Sequence, residues 1–232
     1  MPARNTTQSA AESTSGNTAR DTAGSAAGSA SGAVLRELDR RAVLRSAEIV
    51  ARVREDQWDA PTPCGGWTLR RLLAHMTAQH LGFAAAADGG PADAGVWREE
   101  PLESAADPGR AYAASVERVL GAFGADGVLE RQFVLPEIHP TYRFPAARAI
   151  GFHFVDYVVH GWDVAAALGI PAGYDDELVA AATEVAVREV PVGPSRERPA
   201  AAFRPPVELT GPAGAEERLL AFLGRDPRWS PK

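Results

Sequence analysis

From residue 33 onward, apolar residues recur every three or four positions in long stretches separated by short segments carrying proline and glycine, the pattern of amphipathic helices joined by loops. The first stretch runs from Ala33 to Arg54, with Leu35, Leu38, Val43, Ile49, Val50 and Val53 as its apolar set. "DAPTPCGGWT" then breaks the chain, and Thr68 is placed to cap a second helix that reaches Ala87. A third helix fits Pro108 to Phe123. "RQFVLPEIHPTYRF" is aromatic and interrupted by proline, and reads as a loop or short hairpin. Pro145 suits the first turn of a fourth helix that Gly169 and Pro171 end. A fifth covers Asp176 to Glu189, and "PPVELTGPAGAEERLLAFLGRDPRW" predicts a short strand followed by a short helix. The fold predicted is mainly α, an up-down four-helix bundle over residues 33–190 with a small C-terminal α/β extension over 191–232.

Residues 1–32 are of another kind: rich in Ala, Ser, Thr and Gly, almost without large apolar side chains, and unable to bury enough surface to offset the entropy of ordering. They read as a disordered tail. No charged start is followed by an apolar run, so they do not read as a secretory signal. No stretch offers the roughly 18 apolar residues of a membrane span. The net charge of −6 and the lack of a basic stripe interleaved with aromatics argue against nucleic acid as a partner. A lone cysteine, Cys64, rules out an intrachain disulfide framework and suits a reducing cytoplasm. Arginine outnumbers lysine 23 to 1 among the 24 basic residues, a bias of GC-rich genomes. The expectation is a cytoplasmic protein, monomer or homodimer, whose partner is a small-molecule substrate.

The fourth helix changes this picture. "GFHFVDYVVHGWDVAAALG" is apolar almost all round, which places it centrally in its fold. At 100° per residue, His153, Asp156, His160 and Asp163 nevertheless share an arc of about 80°, with Tyr157 beside it and Val155, Val158, Val159 and Trp162 opposite. Unpartnered, such groups cost roughly 2–7 kcal/mol each to bury. Asp156 and His160, four apart, can present a carboxylate oxygen and an imidazole nitrogen to one cation. Asp163 can accept the other ring N–H of His160 and fix its tautomer. A hydrogen-bonded core cluster would explain the same stripe. On the second helix, periodicity puts His80 on the core face with Leu69, Leu72, Leu73, Met76 and Phe83, and His75 about 120° away beside Gln79.

"TPCGGWTLRRLLAHM" together with "FVDYVVHGWDVAAALG" resembles the mycothiol-dependent maleylpyruvate isomerase group of the DinB-like superfamily, and "LLAFLGRDPRW" is similar to the C-terminal signature of its actinobacterial branch. The resemblance covers roughly residues 33–232. It implies a four-helix bundle holding a divalent metal, usually zinc, on a histidine of the second helix and a carboxylate and histidine spaced by four on a later one. On this chain those positions are His75, Asp156 and His160, with Asp163 and His80 as supporting groups. The isomerases carry glutamate where this chain has Asp156. The resemblance thus selects His75 where periodicity favours His80.

Three protein ligands leave a metal position open, as in catalytic zinc sites. In the isomerases, mycothiol is the co-substrate: its thiolate adds to a conjugated double bond, the bond rotates and the thiol leaves. Related members transfer the sulfur onto electrophiles. A hydrolase using metal-activated water, with His153 as base, and a non-catalytic metal- or ligand-binding protein are the alternatives. Further catalytic candidates are Tyr157 and Arg143, the latter with His139 and Tyr142 in an irregular loop. Arg225 could bind a cofactor's carboxylate or sugar hydroxyl through its planar fork, or cap the last helix. Cys64 reads as an inert turn residue ahead of the second helix.

Overall fold

Three side-chain caps set where the chain turns helical: Thr68, Asp107 and Asp175 each accept a hydrogen bond from the backbone N–H three residues on, at 3.3, 2.9 and 2.9 Å. In the computed structural model, which describes residues 15–90, 93–198 and 201–231, they precede Leu69–Ala87 (α2), Pro108–Phe123 (α4) and Asp176–Glu189 (α6). The other α-helices are Ser15–Val50 (α1), the single turn Glu100–Glu103 (α3), Ala146–Ala167 (α5) and Ala215–Phe222 (α7). The positions anticipated for α2, α4, α5 and α6 hold to within a residue or two. α1 begins earlier than Ala33 and ends at Val50, before Arg54. The expectation of a tail falls partly on residues 1–14, which lie outside the described residues, and partly on the first turns of α1.

Helices α1, α2, α4 and α5 form the bundle. Along α1 and α5, Asp39 meets His153 and Ser46 meets Gly161, so these two helices run parallel. Along α2 and α4, His80 meets Ser115 and Asp88 meets Arg118, so they too are parallel. Between the pairs the order reverses: His75 and Met76 face His160 and Tyr157, while Phe83 faces His153. The directions are therefore up-down-down-up. The simple alternation of consecutive helices is interrupted once, because the connector of residues 88–107 carries the chain back along the bundle before α4 starts. Trp97 anchors that connector on α2. A Cβ at Gly82 would lie 2.3 Å from the Trp97 ring, so the indole rests on the helix only because residue 82 has no side chain.

The core is continuous across the bundle, with Leu72 and Met76 of α2, Val119 and Phe123 of α4, and Ile150 and Phe154 of α5 at its centre. Each such side chain stabilises the fold by about 1.5–3 kcal/mol on burial. The sole sheet among the described residues is the antiparallel pair Gln132–Val134 (β1) and Arg143–Pro145 (β2), with Phe133 opposite Phe144. It realises the hairpin reading of "RQFVLPEIHPTYRF". The strand anticipated at "PPVELT" does not form. Pro205 and Pro206 lack backbone donors and no partner strand lies alongside among the described residues; the segment is tied instead by the Val207 N–H bond to the Ala221 carbonyl, at 2.9 Å, and by Arg228 Nη1 donating to Thr210 Oγ1, at 3.1 Å.

Candidate metal centre

His75, the seventh residue of α2, and Asp156 and His160 on α5 meet across the seam of these antiparallel helices. One donor atom from each lies within 4.8 Å of the other two. The two imidazole rings stand edge to face with centroids 5.2 Å apart, and His160 Nε2 is 3.3 Å from Asp156 Oδ1. Asp156 keeps 22% of its side-chain surface and His160 only 5%, so the group sits at the rim of the core and not at its centre.

Each histidine is held from behind by a carboxylate. His160 Nδ1 donates to Asp163 Oδ2 at 2.9 Å, and His75 Nδ1 lies 2.7 Å from Glu99 Oε1. With Nδ1 engaged on both rings, Nε2 is the nitrogen each has left to offer. Carboxylate–histidine pairs of this kind orient metal-binding imidazoles and raise their basicity. Asp163 is itself fixed by a two-pronged bond from Arg225, whose Nε and Nη2 reach Oδ1 and Oδ2 at 2.9 Å each. The donor set therefore fits a divalent cation: two imidazoles and one carboxylate, the ligand types of zinc.

A second convergence, Cys64 with His160 and Asp163, competes for the same histidine. It is the weaker donor set. Both Asp163 oxygens are already occupied by Arg225 and His160. Burial pushes the Cys64 thiol up, against the opposing pull of His160 and Arg225, so its sulfur stays protonated at neutral pH.

The electrostatics of the principal set are those of an ion pair. Burial alone would lift Asp156, but the His160 imidazolium outweighs it and brings the carboxyl down to about 2. Burial likewise opposes the His160 cation, yet Asp156 and Asp163 on either side carry it up to about 10.

The other residues singled out from the sequence lie elsewhere. His80 and His153 are wholly buried in the bundle interior, where His80 Nδ1 meets Ser115 Oγ at 2.8 Å and His153 Nδ1 meets Asp39 Oδ1 at 2.6 Å. Tyr157 stacks on both rings, with centroids at 4.1 and 4.2 Å, and its hydroxyl donates to the Met76 carbonyl. Arg143 is exposed on β2, and Tyr142 beside it is 47% exposed. Arg225 is buried, and its guanidinium is spent on Asp163 and on Cys64 Sγ at 3.4 Å. Glu99 was missed. It sits in a connector without periodicity, and only the tertiary fold brings it to His75.

An open cleft of about 550 Å³ lies against the outer side of this site, lined by Arg71, Trp97, Glu99, Glu103 and Glu137 among others. None of the three ligand candidates lines it; it reaches the centre through Glu99.

Residues 40–165 match the family model described as the mycothiol maleylpyruvate isomerase N-terminal domain. The chain is also 32% identical over 192 residues to uncharacterized proteins from two strains of Mycobacterium tuberculosis, a match spanning 82% of this chain and 96% of theirs. No solved structure matches.

Proposed function

The chain belongs to the mycothiol maleylpyruvate isomerase N-terminal domain family, and from that membership we propose that it is a divalent-metal-dependent enzyme using a low-molecular-weight thiol, mycothiol, for isomerisation or S-transfer on a small electrophilic substrate. The observation that carries this reading is the convergence of His75, Asp156 and His160, with both imidazoles held at Nδ1 by carboxylates and His160 Nε2 turned to Asp156. Three protein donors leave a cation room for an outside ligand. A bound metal supplies one thing, a thiol deprotonated at neutral pH.

The chain's own groups do the rest. Arg225 and Asp163 keep the proton of His160 on Nδ1, so its Nε2 points toward Asp156. Cys64, half-buried and protonated, does not act as a competing nucleophile, and this favours a thiol brought from outside. In an isomerisation the sulfur adds to one carbon of a conjugated double bond, the new single bond rotates, and the sulfur departs with the same electron pair. In S-transfer the carbon–sulfur bond stays, and the electron pair displaced from the substrate takes up a proton or leaves with a departing group. Water activation finds less support, because His153, the base it would need, is enclosed with Asp39 in the core.

The test is mycothiol added to the cobalt-substituted protein. A sulfur-to-metal charge-transfer band should appear and the thermal midpoint should rise, by the equivalent of about 2.7 kcal/mol at a hundredfold excess over Kd. An analogue with hydroxyl in place of the thiol should do neither, and Cys64→Ala should respond like the parent. No band and no shift in fully metallated protein would contradict the thiol-dependent reading.

A further inference from the structure

Of the two carboxylates that hold the candidate ligands from behind, Asp163 follows its histidine by one helical turn, whereas Glu99 comes from 24 residues away. A carboxylate that stands among several others on an exposed connector could meet an imidazole by accident. Three observations speak for a built arrangement.

The connector is pinned to the helix that carries His75. Trp97 lies in the notch at Gly82, seven residues or two turns beyond His75 on the same face of α2, and packs edge-on against Phe83 at 5.4 Å. Glu99 follows two residues later, so its backbone is fixed relative to the imidazole. Secondly, two of the neighbouring acids are turned to other partners. Glu100 faces Arg98 at 3.5 Å and Glu137 accepts from Gln79 at 2.7 Å, while Glu99, with only 29% of its side chain exposed, turns inward to His75. Thirdly, the imidazole also packs against the Trp67 ring in an edge-type contact, with centroids 5.1 Å apart, and Trp67 carries Arg71 on its face. The ring is oriented as a whole and not merely touched.

We infer that Glu99 is a positioning residue of the metal centre: it holds His75 as the Nδ1–H tautomer, so that the Nε2 lone pair faces Asp156 and His160, and its negative charge makes that nitrogen a better donor. The inference rests on the reading of His75, Asp156 and His160 as the ligands. It also gives the cleft a route to the centre, since a group that hydrogen-bonds Glu99 from the cleft competes with His75 for the same carboxylate.

The experiment uses the full chain and zinc alone, titrated against a chelator of known affinity, with nitrogen NMR of the metal-free protein beside it. Glu99→Ala should weaken zinc binding by 10- to 100-fold. Glu99→Gln, whose amide oxygen still accepts from Nδ1–H, should lose less. In the metal-free parent, His75 should show the Nδ1–H tautomer, and Glu99→Ala should shift it toward Nε2–H while leaving the thermal midpoint in place. A Glu99→Ala protein that binds zinc within twofold of the parent and keeps the tautomer overturns the proposal, provided His75→Ala has lost zinc. If His75→Ala also binds zinc like the parent, the ligand assignment itself has failed, and the role of Glu99 falls with it.

Discussion

His160 stands between two carboxylates, and this sets how the centre answers to pH. Its folded pKa is raised from 6.5 to about 10, so the stability it contributes in the metal-free protein is complete below pH 6.5 and fades as the pH climbs toward 10. Asp156 is lowered from 3.8 to about 2, so its contribution is complete above pH 3.8 and fades on acidification toward 2. A cation on Nε2 must displace the proton that the Asp156 carboxylate holds there. Zinc binding at pH 7 should therefore release about one proton from this histidine, and the apparent affinity should rise about tenfold per pH unit up to roughly pH 9. Titration calorimetry in buffers of different ionisation enthalpy measures the proton count; no release would mean that His160 is not a ligand. At this scale the sequence was partly legible. The i,i+4 spacing of Asp156 and His160 and the i+3 place of Asp163 follow from helical geometry alone. Periodicity favours His80 because it finds the most buried position, whereas the structure groups His75 with Asp156 and His160 at the rim of the core. Glu99 left no local signal, and Arg225 could be marked without its partner being visible.

The helices themselves were read well where a cap and a stop bracket a periodic run, as for α4 between Asp107 and Gly124. What spacing does not carry is which helix faces which, and in which sense. The parallel contact of α1 with α5 includes Asp39, a carboxylate 1% exposed and bonded to His153 at 2.6 Å. Removing one member of a buried pair leaves the other without compensation, at about 3–5 kcal/mol. Asp39→Ala should thus lower the thermal midpoint by about 6–20 °C for a chain of this size, whereas Asp39→Asn, which still accepts from His153, should cost clearly less. Equal small effects of both substitutions would show that the contact does not hold the two helices together. The same pair explains why α5 carries more polar groups than a metal site needs. His153 belongs to the bundle interior and Asp156 to the seam with α2, though both lie on one stripe of the helix.

Over the whole molecule, the up-down-down-up order brings the start of α2, the middle of α5 and the segment after α7 to one place. Arg225 is the link: a residue of the C-terminal extension whose guanidinium fixes Asp163, which in turn fixes His160. Bundle and extension thus complete one centre, although the family match ends at residue 165. Among the described residues no helix is long and apolar enough to cross a membrane. The directest test of the account is the metal content of the intact chain after dialysis against zinc, measured by elemental analysis beside His75→Ala, Asp156→Ala and His160→Ala. One zinc per chain is expected in the parent and less than about a tenth of that in each variant, with His80→Ala remaining fully loaded. Full occupancy in all three variants, or loss of zinc in His80→Ala alone, would contradict it.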